Sequence, residues 1–110
     1  MSDVPVPEIT AEEAAAIAAS GEATLLDVRD EDEVTSASVS EAVHIPLAYL
    51  AARSSELPAD GRVAVFCRGG GRGARAVAVL RAAGIDAVNV RGGLRAWQQS
   101  GLPMRGRLDD

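Results

Sequence analysis

Four short strand-like runs, "ATLLDV" at 23–28, "VHIPL" at 43–47, "RVAVF" at 62–66 and "DAVNV" at 86–90, alternate with stretches whose apolar residues recur at helical spacing. This alternation is the strongest constraint on the fold. Strands that each feed a helix before the next strand build right-handed crossovers and a mainly parallel sheet with helices on its faces. In such α/β sheets the loops at the carboxyl ends of the strands are the default place for a functional site.

The connecting segments carry their own start and stop signals. Thr10-Ala11-Glu12-Glu13 is a capping-box pattern ahead of an alanine-rich run that stops at Gly21, which predicts a helix over about 11–19. "RDEDEV" holds four consecutive acidic residues and reads as the solvated first turn of a short helix, because it lacks the glycine and the spaced ligands of a calcium loop. Pro46 ends the second strand, and 47–57 reads as a helix carrying Leu47, Leu50 and Leu57, followed by a turn at 58–61. "GARAVAVLRAAG" predicts a helix over 73–84, and "LRAWQQS" another that ends at Gly101. Residues 1–7, with their Val-Pro-Val-Pro, read as a flexible extended arm.

At 110 residues the chain fits one domain. Sixteen carboxylates against eleven arginines and no lysine give a net charge of -5, so the average surface repels nucleic acid and anionic membranes. Any anion site must therefore be local. No apolar run approaches the roughly 18 residues of a membrane span, and the acidic start does not resemble a secretory signal, which points to a cytoplasmic protein. The alanine and arginine bias suggests a GC-rich bacterial genome. Cys67 and His44 are too few to ligate a structural zinc ion, and a lone cysteine cannot form an internal disulfide.

Cys67 falls directly after the run 62–66 and ahead of Arg68-Gly69-Gly70-Gly71-Arg72-Gly73. Glycines let successive backbone N–H groups turn inward into an anion-binding nest, and the N-terminus of the following helix adds positive potential. These features are expected to lower the thiol pKa from its free value of about 8.5 and make Cys67 a nucleophile. The bland alternative, a small buried hydrophobe beside a flexible turn, explains neither the three glycines nor the two arginines. A phosphate-binding loop fails for lack of its lysine and hydroxyl, and "GGGRGA" does not supply a dinucleotide fingerprint in register.

"CRGGGRGARA", together with "LLDVR" at 25–29, "HIPL" at 44–47 and "VRGGLRAWQQSGLP" at 90–103, resembles a single-domain rhodanese, a thiosulfate-type sulfurtransferase. The likeness runs over residues 8–104 and leaves 105–110 as a C-terminal tail. It implies a rhodanese-like fold, with a central, mainly parallel sheet of five strands flanked by helices on both faces. It also implies that Cys67 carries sulfane sulfur as a persulfide. Arg68 and Arg72 match loop arginines that hold the donor anion, while Gly69, Gly70, Gly71 and Gly73 supply backbone amides. Asp27 and Arg29 match a pair supporting the neighbouring loop, and Gly92, Gly93 and Trp97 match its wall, where Trp97 reads as a packing anchor. His44 reads as a packed or surface residue.

The implied reaction moves sulfur from thiosulfate or a persulfide donor to cyanide or a thiol, with no metal or organic cofactor. The acceptor could also be a sulfur-carrier or thioredoxin-like protein. Phosphatases sharing this fold have one residue more in the loop than the four between Cys67 and Arg72, so a phosphatase or arsenate reductase is the weaker enzymatic reading. Residues 37–42 depart from the glycine- and proline-bearing stretch common in the family, and no hydroxyl stands at Gly69 or Gly73. Those departures motivate a rival expectation, a catalytically weak binding or regulatory module.

Overall fold

The computed structural model describes residues 6–69 and 71–109, and in it the run at 62–66 is the middle strand of a five-stranded parallel sheet. In chain order the elements are β1 (Glu8–Ile9), α1 (Ala11–Ala19), β2 (Ala23–Asp27), α2 (Glu31–Ser36), β3 (Ala37–Ser38), β4 (Val43–His44), α3 (Leu50–Arg53), β5 (Arg62–Phe66), α4 (Gly71–Ala82), β6 (Ala87–Val90), α5 (Gly93–Gln99) and β7 (Arg105–Gly106). The main sheet has the order β1-β6-β5-β2-β4, and β3 pairs with β7 in a separate antiparallel ribbon. The expected α/β fold is therefore present, with helices on both faces.

Period-two alternation divides the core. Along β5, Ala64 and Phe66 point into a cluster with Ala11, Ala14, Leu94 and Trp97, from α1 and α5. Val63, Val65 and then Cys67 point the other way, into a cluster with Leu50, Ala76, Val77 and Leu80. Successive side chains of a strand face opposite sides, so a central strand apolar at every position from Val63 to Phe66 needs helices on both faces.

Several boundaries differ from expectation. The second strand is only Val43–His44, although the ladder persists as the N–H groups of Ile45 and Leu47 donate to the carbonyls of Asp27 (3.1 Å) and Val28 (3.0 Å). The single helix expected over 47–57 is three short pieces, with 3-10 turns at Leu47–Tyr49 and Ser54–Glu56 around α3. That ladder bond fixes Leu47 to the sheet, and Ser54 and Ser55 are poor helix formers. α4 begins two residues earlier than expected and ends two earlier, because Gly71 and Gly73 sit in a first turn, where glycine is tolerated, and Ala83 and Gly84 form the closing turn. α1 matches its expected span, with both capping-box bonds formed between Thr10 and Glu13 (2.8 and 3.1 Å).

Three short strands, β1, β3 and β7, escaped the sequence reading. β1 adds the fifth strand beside β6, its ends held as Asn89 N–H donates to the Pro7 carbonyl and Arg91 N–H to that of Ile9, both at 2.8 Å. Of the arm expected at 1–7, residues 1–5 lie outside the described ones, and Val6 packs on the α4-side cluster. The segment read as a tail folds back: β7 pairs with β3, and Leu108 is buried in the α1- and α5-side cluster. No helix among the described residues is long and apolar enough to cross a membrane.

Candidate active site

Cys67 stands at the carboxyl edge of the central strand, four residues before α4 begins. Its side chain is 2% exposed and extends the Val63–Val65 row beneath α4. Gly71, Arg72 and Gly73 form the first turn of that helix, where backbone N–H groups have no intrahelical acceptor. Gly69 is exposed with open space around it; Gly70 lies outside the described residues.

The start of α5 clamps the cysteine loop. Leu94 N–H donates to the Cys67 carbonyl at 2.7 Å and Arg95 N–H to the Arg68 carbonyl at 3.0 Å. Gly93 makes this approach possible: its φ is 57°, and a Cβ there would collide with the Cys67 carbonyl oxygen and lie 2.9 Å from that of Arg68. Gly73 has a packing reason as well, since a Cβ there would overlap Asn89 Oδ1. Asn89 is buried on β6, donates to Glu8 at 3.1 Å and was not singled out in the sequence.

Arg72 is paired. Its two terminal nitrogens donate to the two carboxylate oxygens of Glu33 at 2.7 and 2.8 Å, with both side chains about a third exposed or less (33% and 28%). The reading of the acidic run as a solvated turn fails at Glu33, whose carboxylate also accepts the Asp30 N–H at 3.1 Å and so caps α2. Its run of like charges hid a residue with a partner 39 positions away. The hydrogen bonds from Arg72 hold the Glu33 carboxyl down to about 2, against an ordinary 4.5, helped by the Asp30 N–H. Arg72 is correspondingly raised, first by the Glu33 bond, with burial opposing and the charge of Glu33 adding to the rise.

Asp27 and Arg29 form a buried ion pair at the end of β2. Arg29 Nη2 and Nε donate to the Asp27 carboxylate at 2.8 to 3.1 Å, and the Arg29 backbone N–H adds a further bond at 3.0 Å. The remaining guanidinium donors reach the carbonyls of Ala37 (2.6 Å) and Glu33 (3.4 Å). Arg29 thus ties β2 to α2 and to the start of the 37–42 stretch. His44 is half-buried, its Nε2 2.7 Å from the Arg29 carbonyl.

The other expected residues divide. Arg68 donates to the carbonyl of Asp109 in the C-terminal segment. A cleft of about 260 Å³ opens there, lined by Asp32, Glu33, Arg68, Arg107, Leu108 and Asp109. Trp97 stacks on Phe66 with centroids 6.1 Å apart and donates to the Pro103 carbonyl at 2.9 Å, on the sheet face opposite Cys67. Gly92 starts α5 from a left-handed conformation, φ 75°.

Sheet, crossovers and the thiol at the end of the middle strand define an α/β domain organised around one cysteine loop. The chain belongs to a known family: the model of the rhodanese-like domain matches residues 10–100. A sulfurtransferase of Allochromatium vinosum is 37% identical over 81 residues, covering 73% of this chain and 76% of that protein. An HTH-type transcriptional regulator of Mycobacterium tuberculosis is 36% identical over 86 residues, which are 76% of this chain but 38% of that protein. The crystal structure of a rhodanese-related protein from Thermoplasma volcanium superposes with a TM-score of 0.83 at 31% identity, covering 92% of this chain and 99% of that one.

Proposed function

We propose that the protein is a sulfurtransferase that moves sulfane sulfur through a Cys67 persulfide. The observation that carries this reading is the coincidence at one point of a cysteine at the end of the central strand and the glycine- and arginine-bearing first turn of α4 above it. A small core hydrophobe needs none of these. A sulfurtransferase among its relatives supports the same chemistry.

In the first step the Cys67 thiolate attacks the outer sulfur of an anionic donor such as thiosulfate. The new S–S bond forms as the donor's own S–S bond breaks, and the electron pair leaves on sulfite. Arg68 and Arg72 flank the departing anion, and the N–H groups of the α4 first turn, which have no acceptor within the helix, stabilise the persulfide charge. In the second step cyanide or a thiolate attacks the outer persulfide sulfur, and the pair returns to Cys67 as thiolate. The acceptor could be a small thiol or a sulfur-carrier protein.

A second reading, a docking or regulatory module without turnover, is favoured by the 2% exposure of Cys67 and by the relative that is a transcriptional regulator. Mass spectrometry after incubation with thiosulfate separates the two. A gain of one sulfur atom, absent in Cys67→Ser, together with sustained thiocyanate formation from cyanide, is the expected result. No gain with any of several donors would overturn the catalytic reading.

A further inference from the structure

We propose that Glu33 sets the charge of the sulfur donor: by pairing with Arg72 it tilts the site away from dianions and toward singly charged donors. The inference rests on the sulfurtransferase reading above and concerns only which donor class that site prefers.

Three observations carry it. Both terminal nitrogens of Arg72 are engaged by one carboxylate in a half-buried, two-point geometry. Such forked pairs are the stronger and better oriented ion pairs of proteins. Glu33 is itself held in place from two sides, by its bond to the Asp30 N–H and by Arg29 Nη1 at its carbonyl. And Arg68 donates to the carbonyl of Asp109. An approaching donor therefore meets an arginine whose charge is already balanced, with a carboxylate at its side. Each added negative charge on the donor is repelled by Glu33 as it is drawn by Arg72.

Thiosulfate and methanethiosulfonate isolate this effect. They share a sulfane sulfur on a sulfonyl group, but a methyl replaces one charged oxygen. Each delivers its outer sulfur to the Cys67 thiolate with cleavage of its own S–S bond; thiosulfate releases the sulfite dianion and methanethiosulfonate the methanesulfinate monoanion. Glutamine at position 33 keeps a side-chain carbonyl for the capping bond while it removes the charge and replaces one of the two oxygens that accept from Arg72 with a donor.

The test is kcat/KM for both donors in the wild type, Glu33→Gln and Glu33→Gln/Arg72→Gln, with circular dichroism to confirm folding. E33Q is expected to raise the thiosulfate-to-methanethiosulfonate ratio about tenfold, the factor that about 1.4 kcal/mol represents. The double variant should return the ratio toward that of the wild type, because Glu33 acts through Arg72. An unchanged ratio in folded E33Q overturns the proposal. Should E33Q fail to fold, competitive inhibition of the wild type decides: sulfate is expected to bind no more tightly than methanesulfonate, and sulfate binding more than about tenfold tighter overturns the proposal. Absence of turnover with both donors would instead sink the sulfurtransferase reading itself.

Discussion

Asp27 and Arg29 are both charged and both buried, with side chains 2% and 1% exposed, so each is the other's main compensation. Replacing Asp27 with Asn would leave a guanidinium in the interior without a counter-charge. The expected cost is about 3–5 kcal/mol, the penalty for breaking rather than replacing a buried pair. Urea unfolding of D27N checks it, and a loss below about 1 kcal/mol would mean that the carbonyls of Ala37 and Glu33 suffice to hold Arg29. Gly93 is the second exacting position. A methyl group there strains a left-handed φ of 57° and collides with the Cys67 carbonyl. Gly93→Ala should destabilise by about 1–3 kcal/mol and reduce thiocyanate formation more than the folded fraction explains, because the displaced carbonyl belongs to Cys67. Equal losses of activity and folded protein would show that the clamp serves stability alone. Both positions were legible as motif residues, and their partners were not: nothing local to Arg29 points to the Ala37 carbonyl, and nothing near Gly93 points to Cys67.

α2 is the element whose role differs most from its sequence. Four adjacent carboxylates look like a helix start bathed in solvent, and for Glu31 and Asp32, both exposed, that holds. Glu33 lies one step further round the helix and meets Arg72, which no pattern in either segment announces. The pair makes a pH prediction. The Glu33 carboxyl is held at about 2 instead of 4.5, so its contribution to stability is fully present above 4.5 and disappears as pH falls through about 2. The half-exposed setting limits its size to roughly 1 kcal/mol. Wild type should therefore exceed E33Q in urea stability by a gap that is flat from about pH 7 to 5 and closes toward pH 2. A gap that persists unchanged to pH 2 would assign the loss to shape and not to charge. Elsewhere the helices followed their signals where these were local and strong, as with the Thr10–Glu13 capping box. The expected helix at 47–57 broke into short turns because Leu47 answers to Val28 across the sheet, a long-range bond that helical spacing does not encode.

The parallel order β1-β6-β5-β2-β4 brings Asp27, His44, Cys67 and Gly92 to one carboxyl edge, the edge on which strand alternation alone had put the candidate site. The same alternation could not show the strap that returns to that edge. β3 and β7 are two residues each, too short for any periodicity, and Arg105–Gly106 meets Ala37–Ser38 from the far end of the described chain. Beyond β7 the strap is held at three points. Leu108 is buried, its N–H donates to Gln98 Oε1 at 2.7 Å, and the Asp109 carbonyl accepts from Arg68. Truncation after Met104 removes all three and the β3 pairing while leaving the five-stranded sheet intact. Burial of Leu108 alone is worth about 2 kcal/mol, so the truncated protein should remain folded with a stability lower by at least that much in urea unfolding. It should also take the Asp109 carbonyl away from Arg68 and remove Arg107 from the cleft. If Arg68 is the donor-facing arginine, KM for thiosulfate in the folded truncation should fall. A KM that rises instead would mean that Arg107, lining the same cleft, is the cation that the donor uses, and that the strap is a wall of the site as well as a brace for the fold.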